Sequence, residues 1–202
     1  MKQYPEIPKD VPSFNAHVFD KIDGSNLRFE YSKKRGWFKF GTRTRLFDQS
    51  DDVFGSAVPL FHETLLFPLT QIMIDNRFEH AVVFAEFAGK RSFAGQHEKD
   101  DVKTLTVFDV ALDKKGFVSP KMFIKLFDGK VLIPKYLGYY RWNKEFTTKI
   151  YYNEIEGITF EGVVGKDGEG THYNMAKAKT LQWLNKVHAL YSDNLADKII
   201  NS

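Results

Sequence analysis

The sequence predicts an α+β fold in which antiparallel sheets carry most of the core and helices flank them. Aromatic residues make up 15% of the chain, 19 of them Phe, a share that favours sheet-rich packing. Short apolar runs bounded by Gly, Asp, Asn and Ser recur from end to end, as strands joined by turns do. Two stretches break that rhythm with helical spacing: Val58 to Phe78 near the first third, and Leu181 to Tyr191 near the end.

Composition narrows the field before any motif is read. At 202 residues, 43% apolar and 27% charged, the chain suits a globular protein with one core, and a single domain over residues 1–202 is expected. A net charge of +3 permits a polyanionic partner without requiring one. The absence of cysteine removes disulfides, thiolate chemistry and cysteine-bound zinc together. The six histidines have no metal-ligand spacing. The opening MKQYPEIPKDVPSF carries no hydrophobic signal region and no apolar run reaches spanning length, so a cytoplasmic protein with no membrane partner is expected.

In order, residues 1–13, with Pro5, Pro8 and Pro12, read as an extended lead-in. Phe14 to Phe19 and Leu27 to Tyr31 read as strands joined by a tight turn around Gly24, and Lys33 to Gly36 turns the chain into Trp37 to Phe40. Val58 to Phe78 predicts one or two helices interrupted at Pro68. Ala81 to Gly89 and Leu105 to Leu112 are apolar strands, with a polar loop over residues 91–103 between them. Ser119-Pro120 opens a short capped helix that ends before Asp128-Gly129. Val131 to Trp142 mixes strand and loop, and Asn143 to Tyr152 predicts a helix. Ile158 to Lys166 and Tyr173 to Thr180 are strands, and Leu181 to Tyr191 and Leu195 to Ile200 are helices.

Several of these segments carry residues that a core does not need. Lys21-Ile22-Asp23-Gly24 puts a lysine at a strand end, where it can attack only as the free amine. At an ordinary pKa of ~10.4 only about four molecules in ten thousand are in that form at pH 7, so a nucleophilic Lys21 needs help. The competing reading is a solvated hairpin whose Asp-Gly supplies left-handed geometry. Arg43 and Arg45 share a face beyond a strand end, and their guanidinium forks suit phosphate, although a solvated basic loop explains an isolated RTR as well. Glu86 is the one carboxylate in an apolar strand, and it needs a partner, a ligand or a proton. A surface pair with Lys90 or Arg91 would also satisfy it. Glu161 repeats the pattern, with Lys166 on the opposite face of a regular strand unless Gly162 or Gly165 allows a bulge. Lys177 and Lys179 lie side by side and require an anion or solvent between them.

Taken together, KIDGSN, RTR, FAEFAG, TVFDVA, FEGVVGK and AKAK fall in the order and rough spacing of the covalent nucleotidyltransferases. From Lys21 to Lys179 the chain resembles ATP-dependent ligases and capping enzymes, most closely RNA ligases of the RNA ligase 2 type. That resemblance implies an ATP-grasp-like nucleotidyltransferase domain of polynucleotide ligases, with the nucleotide between its sheets. It implies ATP-dependent joining of 5′-phosphate and 3′-hydroxyl ends of RNA through a lysyl-AMP on Lys21, with Mg or Mn. Asp23 and Gly24 would complete the turn, and Asn26 and Arg43 would reach phosphate or a nucleic-acid end. Glu86 would hold the ribose hydroxyls, Phe108 would stack on adenine and Glu161 would position the metal. Lys166, Lys177 and Lys179 would clamp phosphate and, with the metal, push the pKa of Lys21 down. DNA nick sealing is the nearest alternative activity, and a nucleotide- or nucleic-acid-binding module without turnover is the alternative of a different class.

The chain also departs from that family. Asp20 stands where these RNA ligases often have glutamate, and only 23 residues follow Lys179. A full C-terminal accessory domain is therefore not expected. The resemblance then implies either a minimal enzyme working on RNA in a nicked duplex, or one whose grip is completed by a protein partner.

Overall fold

The computed structural model describes residues 1–8, 11–90 and 100–201; of the polar loop expected over residues 91–103, residues 91–99 lie outside the described part. In chain order the elements are β1 (Phe14–Lys21), β2 (Ser25–Ser32), β3 (Gly36–Thr42), β4 (Leu46–Phe47), α1 (Ala57–Thr64), α2 (Leu66–Asp75), β5 (His80–Ala88) and β6 (Thr104–Leu112). Then follow β7 (Gly116–Phe117), α3 (Pro120–Phe127), β8 (Tyr136–Trp142), α4 (Lys144–Tyr151), β9 (Gly162–Glu169), β10 (His172–Lys179), α5 (Leu181–Leu190) and α6 (Asp193–Asn201). The strands form two antiparallel sheets, one of four in the order β10-β9-β1-β8 and one of six in the order β4-β3-β2-β5-β6-β7. This is the α+β architecture that the alternation of strands and helices predicts.

One junction differs from its sequence-based expectation and decides where the site lies. β1 and β2 read as a hairpin but do not pair: β1 lies between β8 and β9, while β2 lies between β3 and β5. The segment from Lys21 to Gly24 therefore crosses from one sheet to the other. Gly24 is needed there for close approach rather than for left-handed geometry, because a Cβ would sit 2.5 Å from the carbonyl oxygen of Phe87 on β5.

Alternation along β1 then sorts its side chains. Ala16 and Val18 pack with Trp142, Phe146, Ile150 and Val163 beneath α4. Phe19 faces the other way, joining Leu27, Phe29, Val83 and Val107 and the buried faces of α1, α2 and α3 in the largest core. Lys21 follows Phe19 on that inner face.

The helix break in the first helical stretch falls at Leu65 rather than at Pro68, with a bend of 57°. Pro68 sits in the first turn of α2, where its missing N–H would have had no helical partner anyway. Ser119, Asn143 and Thr180 cap α3, α4 and α5 with their side-chain oxygens. Among the described residues no single helix is long and apolar enough to cross a membrane.

Candidate active site

Between the sheets opens a cavity of about 690 Å³, within the range of small-ligand sites. Lys21, Asp23, Gly24, Asn26, Arg43, Glu86, Phe108, Glu161, Lys166, Lys177 and Lys179 all line it, so the structure gathers into one cleft every residue singled out in the sequence. The cavity has a lysine end and an aromatic end.

The lysine end is organised by Glu161. This residue precedes β9, which starts at Gly162 rather than at Ile158 and runs on to Glu169, so the strand expected over 158–166 is displaced toward the C-terminus. Gly162 adopts φ +144°, and a Cβ there would run into the carbonyl oxygen of Ala178, so only glycine lets the chain enter the sheet at this angle. The kink resolves the alternation problem, since Glu161 and Lys166 both reach the cavity. The peptide around Glu161 is pinned on both sides. Thr159 donates to buried Asp20 through its N–H (2.9 Å) and its hydroxyl. Thr180 donates through its N–H to the Glu161 carbonyl (3.0 Å) and through its hydroxyl to the Phe160 carbonyl (2.6 Å). The carboxylate is 3% exposed as a residue and is shared between two lysines: Lys21 Nζ lies 2.8 Å from Oε2 and Lys179 Nζ lies 3.3 Å from Oε1.

Among the protein's own groups the balance at Lys21 runs opposite to the lowering expected from the lysines together with a metal. Burial alone would lower the Lys21 pKa, but Glu161, Glu86 and Asp23 outweigh it, so the ammonium is held above its usual value. The lysines that were expected to activate Lys21 instead take the strain. Burial, with Lys21 and Lys177 nearby, lowers Lys179 to about 8 against the pull of Glu161. Burial, Lys21 and Arg43 lower Lys177. Burial raises Glu86 to about 8 where it lines the cavity; of the two surface partners considered as the alternative, Arg91 lies outside the described residues. On the neighbouring strand, in register with Glu86, Asn26 presents a buried Oδ1 with no hydrogen-bond partner among the described residues. A buried acceptor left open costs ~1–3 kcal/mol, and one facing a cavity is a place for a ligand donor. Arg43 and Arg45 both line the cavity, and Arg45 is also held in an ion pair with Asp51.

The aromatic end is built from Phe108 and from residues the sequence did not advertise. Lys166 is only 4% exposed, and its Nζ donates to the Phe108 carbonyl (2.7 Å) and to Asp109 Oδ2 (2.9 Å). The fully buried Asp109 also accepts from the hydroxyls of Tyr4 (2.8 Å) and Tyr173 (3.0 Å). Tyr4 meets Phe108 edge to face, ring centroids 5.1 Å apart. Tyr4 belongs to the lead-in segment, whose Met1 and Lys2 carbonyls are held by Arg28. No local pattern around Tyr4 predicts a role 105 residues away. Trp183 was likewise missed: its indole N–H donates to Asp23 (3.2 Å), and its ring lies under Lys179 with Nζ 4.0 Å from the centroid.

A divalent ion can be tested against these groups. Among the described residues no set of three or more His, Asp or Glu is arranged to hold a metal by itself. The Glu161 carboxylate is nevertheless a hard oxygen donor opening into the cavity. Magnesium-like ions commonly take one or two carboxylates and complete their shell with substrate phosphates and water, so the residues fit an ion that arrives with its nucleotide.

A strand-end lysine set between two antiparallel sheets, facing a carboxylate and two further lysines, is the architecture of the covalent nucleotidyltransferases. Comparison with protein families matches residues 16–181 to the family described as RNA ligase, and the chain belongs to that family. The fold is similar to an archaeal ATP-dependent RNA ligase, 16% identical with a TM-score of 0.68, covering 100% of this chain and 56% of that one. It is also similar to a mutant Naegleria gruberi RNA ligase with ATP and Mn, 17% identical with a TM-score of 0.64, covering 85% of this chain and 51% of that one. Another mutant of the Naegleria enzyme, with AMP and Mn, aligns with the same score and coverage. At these identities the likeness establishes the fold, and the chain spans about half the length of these structures. No curated protein sequence matches it.

Proposed function

We propose that the chain is an ATP-dependent RNA ligase that joins 5′-phosphate and 3′-hydroxyl ends through a lysyl-AMP on Lys21. The observation that carries this reading is the Lys21–Glu161–Lys179 cluster, with contacts of 2.8 and 3.3 Å, at one end of a cavity whose other end offers Phe108. Phe108 supplies a face for adenine, and Glu86 and Asn26, in register on adjacent strands, meet the ribose between the two ends.

In the first step the Lys21 amine donates its electron pair to the α-phosphorus of ATP. The bond to the bridging oxygen breaks, and pyrophosphate leaves with that pair. Lys21 must first lose a proton, and Glu161 Oε2 is the acceptor within hydrogen-bond reach. Lys177 and Lys179 lie where charge develops on the transferring group. A Mg or Mn ion held by Glu161 and the phosphates would neutralise phosphate charge and draw Glu161 away from Lys21. In the second step the P–N bond breaks as a 5′-phosphate oxygen takes AMP. In the third the 3′-hydroxyl attacks that activated phosphate and AMP departs. Lys166, engaged with Asp109 and Phe108, serves the base side of the site rather than the phosphates.

The same reading treats residues 1–202 as one nucleotidyltransferase domain acting in the cytoplasm, with a protein partner adding to its grip on a nicked duplex. With ribose or deoxyribose in the two positions before a nick, ribose should seal faster; equal or faster sealing of all-DNA nicks would favour a DNA ligase. The primary test is incubation with labelled ATP and Mg or Mn. An acid-labile protein-AMP adduct is expected, and wild-type protein that stays unlabelled with both metals would sink the enzyme reading.

A further inference from the structure

The charges at the lysine end leave one need unmet. Lys21 and Lys179 share the single carboxylate of Glu161, so much of their charge is already balanced when a triphosphate arrives. The β- and γ-phosphates carry most of its negative charge and leave as pyrophosphate, and among the described residues Lys177 and Arg43 line the cavity outside that pairing.

A further cation comes from an element that the family motifs do not include. α6 presents Leu195, Lys198 and Ile199 to the cavity, spaced i, i+3 and i+4 on one helical face. The helix is fastened to the catalytic machinery rather than hanging from it. Ala196 and Ile199 pack on Trp183 and Val187 of α5, and Trp183 hydrogen-bonds Asp23 of the Lys21 segment. Lys179 Nζ in turn reaches the Ile199 carbonyl at 3.5 Å. Lys198 is exposed beside this anchored face and lines the cavity. Leu195, 44% exposed, is an apolar neighbour that would be covered when the mouth fills.

We infer that Lys198 binds the β- and γ-phosphates of ATP and the departing pyrophosphate, making α6 part of the triphosphate site. This rests on the ligase reading above and adds a residue to it. A lysine in the last turn of a helix also interacts favourably with the helix dipole, so a purely structural role must be distinguished.

The experiment separates the step that involves pyrophosphate from one that does not. In the full chain, Lys198→Ala should raise the KM for ATP in protein-AMP formation about tenfold, the worth of one charge-assisted hydrogen bond. It should raise the pyrophosphate concentration needed to reverse the adduct to ATP by a similar factor. Lys198→Arg should restore most of both. AMP transfer from isolated protein-AMP to a 5′-phosphorylated RNA should suffer at least fivefold less than the first step. Equal losses in both steps, accompanied by a lowered melting temperature, would assign Lys198 to the helix alone and overturn the inference. Wild-type values for both ATP and pyrophosphate would overturn it too, while leaving Lys21 chemistry standing. Failure of the wild-type protein to form any adduct would instead remove the ligase reading beneath it.

Discussion

At the aromatic end of the cavity the charges are partnered within the protein: Lys166 is bound by Asp109, which two tyrosine hydroxyls also satisfy. At the lysine end the partners are provisional, because one carboxylate serves two lysines, Asn26 Oδ1 has no hydrogen bond among the described residues, and Glu86 is pushed up to about 8. A site that must receive a base benefits from a rigid finished wall. A site that must receive a triphosphate and a cation, and then release pyrophosphate, benefits from charges that a ligand can redistribute. Recognition and chemistry are thus kept on separate supports within one cleft.

Breaking the lysine end should have the largest effect. Lys21→Ala should abolish the protein-AMP adduct altogether, and Lys179→Ala should lose most of it while circular dichroism remains native. Unchanged adenylation in Lys179→Ala would move that lysine out of the phosphate site. The aromatic end should break differently, through folding. Lys166→Met leaves the Asp109 carboxylate without its cation in a fully buried site, a change worth ~3–5 kcal/mol of stability. Denaturant unfolding measures it directly, and a loss under 1 kcal/mol would mean that the tyrosines alone satisfy Asp109. Phe108→Ala should be milder, weakening ATP binding by about 1–3 kcal/mol through lost stacking.

The same division explains what could be read from the sequence. Lys21, Glu86, Glu161, Lys177 and Lys179 are conspicuous because each is a charge in or beside an apolar strand, a local conflict that only a ligand or partner resolves. Strand existence was equally visible, since period-two apolar runs announce themselves. Strand partners were not. The turn after Lys21 has hairpin chemistry, yet β1 and β2 part into different sheets because each finds better partners 50 or more residues away, Glu86 beside Asn26 and Gly162 beside Lys21. Tyr4, Trp183 and Lys198 escaped for the same reason: nothing in their neighbours marks them until the fold brings the two chain ends to the cleft. The upward pull on Lys21 from the protein's own groups was not legible because it depends on Glu161, 140 residues away in sequence, lying 2.8 Å from Nζ.

The last prediction concerns Glu86 and reads the provisional character of the lysine end without any substrate. Its folded-state pKa of about 8 lies above the ordinary 4.5, chiefly because of burial. Between those values the folded protein keeps a proton that the unfolded chain gives up, so the unfolded state gains relative to the folded one as pH rises. Stability contributed by this group is therefore fully present below 4.5, declines as pH climbs toward 8 and changes no further above it. Glu86→Gln replaces the protonated carboxyl with a neutral group of similar shape and should flatten that decline. The check is urea unfolding of both proteins at pH 5, 6.5 and 8, without metal or nucleotide. The difference in stability between wild type and variant should shift in favour of the variant as pH rises. Parallel profiles would mean that Glu86 is ionised in the empty cleft, held so by Lys21, and that the lysine end is already as fully partnered as the aromatic one.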